Sequence, residues 1–197
     1  MSVTLPQAPR GRPRDSRAHQ AILSATAELV IEVGYAATSI GGVAARAGVG
    51  KDTIYRRWSG KPELVYEAVF TQTESAPVPN TGSLADDLTA LLEALLQEFT
   101  APAAAAALPG LLADFAAQPD LQADIRSRFL APAKAGLVEL FERAVRRGET
   151  DASVPVDLVL DTLAGAVFFH VGLLGEPAGP RLATQLAAIV GQGIETR

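Results

Sequence analysis

The residues of this chain whose types and spacing could do chemistry are concentrated between Gly50 and Arg57. Lys51, Asp52, Thr53, Tyr55, Arg56 and Arg57 put three cations, a carboxylate, a hydroxyl and a phenol into two helical turns. Such a set suits recognition, with cations for phosphates and polar tips for base edges. Nothing comparable points to bond breaking. The chain has no cysteine, and its two histidines, His19 and His170, stand far apart with no metal-ligand spacing around them. No catalytic residue, metal site or cofactor is expected, and an enzyme is the least favoured class.

The elements that must position these residues can be read on either side. Thr38 and Ser39 offer hydroxyl caps to a helix whose apolar positions are Ile40, Val43, Ala44 and Ala47. Gly48 follows where a chain leaving a helix often needs positive φ. A second short helix then turns Val49 and Ile54 inward and frees Lys51, Tyr55, Arg56 and Arg57 to point elsewhere. The pair reads as a helix-turn-helix, whose second helix lies in the DNA major groove. Upstream, Gln20 to Val33 carries Ile22, Ala25, Leu29 and Val33 on one stripe and stops at Gly34-Tyr35. Downstream, Lys61-Pro62-Glu63-Leu64 opens a fourth helix, with Lys61 able to reach a phosphate from its N-terminus.

From about Arg17 to Phe70 the chain resembles the DNA-binding domain of the TetR family of bacterial transcriptional regulators. The matching residues include Ala27-Glu28-Leu29, Gly34-Tyr35, Thr38-Ser39-Ile40, Val43-Ala44, Ala47-Gly48-Val49, Thr53-Ile54-Tyr55 and Trp58-Ser59-Gly60-Lys61-Pro62-Glu63-Leu64. A looser resemblance to one C-terminal subfamily runs through Ala131-Pro132, Glu142-Arg143-Ala144 and Leu163-Ala164-Gly165. Two positions depart from the family pattern. Gly50 stands where a hydroxyl is usual, and Asp52 where glycine is frequent. Asp52 has two readings: a carboxylate suited to the first turn of a helix, or an acceptor for a cytosine amino group.

The net charge of −5 at first argues against a nucleic-acid partner, and its distribution reverses that. Through Lys61 there are nine basic and four acidic residues, and the remainder carries eight basic and eighteen acidic ones. A basic module joined to an acidic one is the footprint of a DNA-binding domain with an attached body. At the N-terminus, Arg10-Gly11-Arg12-Pro13-Arg14 reads as a flexible arm over residues 1–14, disordered when isolated. Its arginines, Arg12 and Arg14 among them, either enter an A·T minor groove or form a solvated basic tail. No apolar run free of charges and prolines reaches membrane-spanning length, and a cytoplasmic location with no membrane partner is expected.

The fold class is therefore all-α: a three-helix DNA-binding domain over 15–62 and a larger helical domain for ligand binding and dimerisation over 63–197. In the latter, helices are expected near 62–74, 83–100, 103–116, 119–129, 132–148, 155–174 and 179–193, with Pro109-Gly110 kinking or splitting its helix. The last two helices are apolar over more than one face. Leu160, Leu163, Val167 and Val171, with Leu182, Leu186, Ile189 and Val190, could form a four-helix interface between two protomers or complete an intrachain core. The resemblance implies the dimer, and a symmetric dimer suits a palindromic operator. It also implies a pocket for an unidentified, largely apolar small molecule. Its candidate walls are Phe99, Leu111, Phe115, Phe129, Phe141, Phe168 and Phe169, with His170 as a polar anchor, although each phenylalanine also suits ordinary core. The leading function is a ligand-responsive repressor, and a nonspecific nucleoid protein is the rival.

Overall fold

Gly48 fixes how the first helices meet. Its backbone is left-handed (φ 66°, ψ 32°), and the following amide of Val49 donates to Ala44 O at 3.0 Å. A residue with a Cβ is strained in that conformation, so glycine is the natural occupant. The computed structural model describes residues 12–70 and 77–194. Its elements in chain order are α1 (Arg12–Ala37), α2 (Ile40–Ala47), α3 (Lys51–Tyr55), α4 (Lys61–Phe70), α5 (Leu84–Thr100), α6 (Pro102–Ala117) and α7 (Pro119–Ile125). A π-helical segment (Arg126–Leu130) leads into α8 (Ala131–Arg147). Then come α9 (Val156–Val167), continued by a second π-helical segment (Phe168–Leu173), and α10 (Leu182–Ile194). No strand occurs among the described residues.

Three apolar clusters hold the chain together. The first joins α1 to α4 through Ile22, Leu23, Ala25, Val43, Ala44, Ile54, Trp58, Leu64 and Ala68. The second fills the body from Leu84, Leu88 and Leu92 on α5 to Leu140 and Phe141 on α8, Leu160, Leu163 and Val167 on α9, and Ala183 and Ala187 on α10. The third sits between them: Val30 and Tyr35 of α1, Val65 and Val69 of α4, and Ala104, Ala107 and Leu111 of α6. The boundary expected at 62/63 thus falls inside α4, which serves the first cluster with one face and the third with another.

Three local expectations change, and a fourth, the stop at Gly34, is kept as a break. The helix carrying the first stripe begins at Arg12, so Arg12 and Arg14 lie within α1 and not on an extended arm. Arg10 and Gly11 lie outside the described residues, as do 71–74 of the helix expected over 62–74. Val33 is half exposed, because α1 is clasped between α2, α4 and α6 and its inward line runs Ile22, Thr26, Val30. Finally, α6 continues through Pro109 as one helix. The expected stop at Gly34 is a break inside α1 (φ 77°, ψ 167°).

Long-range polar bonds finish the body. Ser83 Oγ caps α5 by accepting from Asp86 N at 3.1 Å, and Glu149 accepts from Leu84 N at 2.8 Å. Asp87, buried beneath that helix start, accepts from Thr81 N and Oγ1 at 2.6 and 2.8 Å and faces Arg147 at 3.6 Å.

Candidate nucleic-acid interface

The second helix of the helix-turn-helix is short, and its placement depends on two anchors. Ile54 and Trp58, both essentially inaccessible, pin one side of it into the first cluster. Trp58 is held further by its indole N–H, which donates to Glu67 Oε2 at 2.6 Å, and by His19 stacked on its ring with centroids 5.2 Å apart. With that side fixed, helical geometry turns Lys51, Asp52, Tyr55 and Arg56 outward. All four are exposed, and Tyr55 keeps 55% of its surface despite its size. Among the described residues, no carboxylate pairs with Lys51 or Arg56. Lys51 lies back across α2, where a Cβ on Gly41 would meet its Cε at 3.2 Å. Arg57 bends back along its own helix and donates to Thr53 O at 2.6 Å.

The flanking candidates divide. Ser39 is exposed and caps α2 by accepting from Gly42 N at 3.1 Å. Thr38 is turned inward: it is buried, and its hydroxyl donates to Gly34 O at 2.8 Å, so that group is committed to the α1–α2 corner. Gly50 is exposed at the start of α3 and offers no side-chain cap. Lys61 Nζ donates to Tyr35 O at 3.1 Å and rests 4.2 Å above the Tyr35 ring centroid. An ammonium has three donors, so a phosphate can still be bound from there. Arg46 is committed to α1, with a bidentate pair to Glu32 at 2.7 and 2.6 Å. The hydrogen bond from Arg46 holds Glu32 below the usual glutamate range.

Tyr35 joins this unit to the body. Its ring lies against Gly110 of α6, where a Cβ would fall 2.1 Å from Tyr35 Cδ1, and its hydroxyl donates to Asp114. Burial, and then the adjacent carboxylate, pushes the phenol far above its ordinary range, so it stays protonated as the donor.

The candidate ligand-wall residues do not form one set. Phe99, Phe115, Phe129 and Phe168 fall on a ladder of rings completed by Tyr66 and Phe70 of α4, with neighbouring centroids 5.3–6.4 Å apart. Leu111 is in the third cluster beside Phe115. Phe141 belongs elsewhere: it packs in the body core and borders a cavity of about 370 Å³ with Val138, Val145, Val154 and Val156. Phe169 is half exposed and His170 partly so, both on the second π-helical segment. Tyr66 and Phe70 escaped the sequence reading, although their spacing of four on one helix was a usable signal.

Burial divides the dimer candidates. Leu160, Leu163 and Val167 are consumed by the protomer's own core, and Val171, Leu182, Leu186 and Val190 pack against it. Ile189 alone of the eight is strongly exposed, at 69%. The apolar surface left open on these elements is instead Leu158, Phe169, Leu173, Leu174 and Ile189. A helix apolar nearly all round does not reveal which face its own chain takes.

Comparison with known proteins agrees with this architecture. Residues 22–68 match the family described as bacterial regulatory proteins, tetR family, and residues 78–190 match the tetracyclin repressor-like C-terminal domain. YdeS, an HTH-type transcriptional regulator of Bacillus subtilis, is 29% identical over 190 residues, covering 96% of each chain. The DNA-binding transcriptional repressor TetR of Mycobacteroides abscessus is 33% identical over 170 residues, covering 85% of this chain and 86% of that one. The crystal structure of the TetR family transcription regulator SCO0332 superposes with a TM-score of 0.75 at 27% identity, covering 91% of this chain and all of the other. Such proteins bind DNA, dimerise and carry a C-terminal ligand-binding domain, and they are not enzymes. With both domains matched along its length, this chain belongs to the TetR family of transcriptional regulators.

Proposed function

We propose that this protein is a cytoplasmic, sequence-specific repressor that binds a palindromic operator as a homodimer and releases it when a largely apolar small molecule enters the body. The observation that carries the DNA reading is the outward set Lys51, Tyr55 and Arg56 on a helix pinned from behind by Ile54 and Trp58. Ser39, Gly50, Asp52, Thr53, Arg57 and Lys61 flank that set. Repression is supported by the relative in Mycobacteroides abscessus, itself a repressor. Two copies joined through the exposed apolar residues of α9, its π-helical extension and α10 would present two recognition helices, as half-sites about one helical turn apart require. The aromatic ladder from Tyr66 to Phe168 supports an apolar effector, since rings with few polar groups suit such ligands. An effector of this kind acts only by binding one conformer better than the other.

The test is selection of duplexes from a random-sequence library by the purified protein, followed by competition with unrelated DNA at physiological salt. Enrichment of an inverted repeat bound by two protomers is the expected result. Equal binding to every duplex would replace this reading with a nonspecific nucleoid protein.

A further inference from the structure

Beside the third apolar cluster, two polar contacts between the body and the DNA-binding unit stand out among the described residues. One is Tyr35 with Asp114. The other is Glu63, 1% exposed in the first turn of α4. Its Oε2 accepts from Ser59 N at 2.6 Å and Ser59 Oγ at 2.7 Å, while Oε1 pairs with Arg128. Arg128 comes from the π-helical segment Arg126–Leu130, and the next residue, Phe129, is buried in the aromatic ladder with its ring 5.3 Å from Tyr66. One distorted turn thus faces two ways, with Phe129 toward the ladder and Arg128 toward the DNA-binding domain.

We propose that Arg128 is a positioning residue for operator binding, tying the packing of Phe129 to the Ser59–Lys61 turn through Glu63. This rests on the function proposed above. That turn separates the recognition helix from α4 and sets Lys61. For a carboxylate as buried as Glu63, the neutral Ser59 amide and hydroxyl are poor replacements for a cationic partner. Deprived of Arg128, it either takes up a proton or swings toward water, and both weaken its hold on Ser59. A second arrangement is available, because Asp124, exposed and one turn back, lies 3.9 Å from the same guanidinium. Movement of Phe129 can therefore transfer Arg128 from Glu63 to Asp124, giving two discrete states for an effector to bias.

Two readouts test this: affinity for the duplex selected by the wild-type protein, and acrylamide quenching of Trp58, the single tryptophan, adjacent to Ser59. Both are measured below the Tm of every variant. Arg128→Met should weaken duplex binding by roughly two- to thirtyfold and open Trp58 to quencher, while Arg128→Lys retains most of both. In a Glu63→Gln background Arg128→Met should add nothing further. Phe129→Leu should shift Trp58 quenching in the wild-type protein but not in Arg128→Met. Wild-type behaviour of Arg128→Met in both readouts would overturn the proposal. So would a full Arg128→Met effect in the Glu63→Gln background, or an undiminished Phe129→Leu effect without Arg128. If Arg128→Met fails to fold, Arg128→Lys and Phe129→Leu decide: an unmoved Trp58 in Phe129→Leu overturns the coupling. Should the wild-type protein select no duplex, the repressor reading fails, and Trp58 quenching still decides the coupling.

Discussion

At the scale of single residues, the outward side chains of α3 differ in what they can supply. Lys51 is an exposed point charge, and Lys51→Ala should weaken binding to all duplexes nearly equally while lowering the slope of log affinity against log salt by about one. Tyr55 offers an apolar ring with a polar tip, so Tyr55→Ala should reduce affinity for the selected duplex more than for random DNA. Neither change should move the Tm appreciably, since both residues are exposed. Lys61 is different, because its amine already serves the Tyr35 carbonyl and ring. Lys61→Ala should lower both Tm and affinity, and thermal melts beside binding curves would separate it from Lys51→Ala. Glu32 gives a pH signature. Its folded pKa lies below the ordinary 4.5, so its contribution to stability is present above that value and lost as pH falls through the depressed one. Glu32→Gln should therefore lower stability slightly near neutrality and match the wild type in strong acid, which flattens the acid limb below about pH 4.5 in denaturant melts run across pH.

At the scale of elements, the α1–α6 contact is where the two domains are fastened. Tyr35 packs its ring against Gly110, so Gly110→Ala would force the ring away and disturb its hydroxyl bond to Asp114 and its contact with the Lys61 ammonium. The expected cost is about 1–3 kcal/mol, the usual range for overpacking, read as a lower denaturant midpoint with an unchanged m-value. The periodicity of α1 anticipated an amphipathic helix but assigned Val33 to the buried stripe. A helix gripped by three neighbours has its inward line set by all of them, and only their assembly places Val30 inside. Pro109 does not split α6, and the helix runs on with Ala104, Ala107 and Leu111 packed into the third cluster on either side of it.

At the scale of the whole molecule, the apolar residues left on the outside matter most. Leu158, Leu173 and Ile189 are each more than half exposed. The stretch Val156–Leu173 is long and apolar enough by length and composition to cross a membrane, with a mean hydropathy of 1.6, although it includes Asp157 and Asp161. In the homodimer proposed above, a second protomer would cover this surface. The paired substitution Leu158→Glu with Ile189→Glu should shift the protein from dimer to monomer in sedimentation velocity. Affinity for the full inverted repeat should fall with it, and an unchanged dimer would place the interface elsewhere. The charge asymmetry belongs to this scale too, since an acidic body repels phosphates while a basic N-terminal module attracts them.

The sequence by itself determined the helix-turn-helix, because its signals are local: a hydroxyl cap at Ser39, a left-handed position at Gly48, apolar Ile54 between cations, and Pro62 at a helix start. Each acts over a few bonds, so residue order is enough to read them. It also determined the all-α class and placed the body helices from 83 onward to within a few residues, except that the break expected between 129 and 132 is bridged by the π-helical segment Arg126–Leu130. Only the tertiary structure decided that Thr38 turns inward, that Leu160, Leu163 and Val167 belong to their own chain's core, and that Phe141 leaves the aromatic ladder. It alone paired Glu63 with Arg128 across 65 residues. The physical reason is common to all four. Which face of an apolar helix is covered, and which carboxylate a cation finds, depends on neighbours that folding brings near and that spacing along the chain does not record.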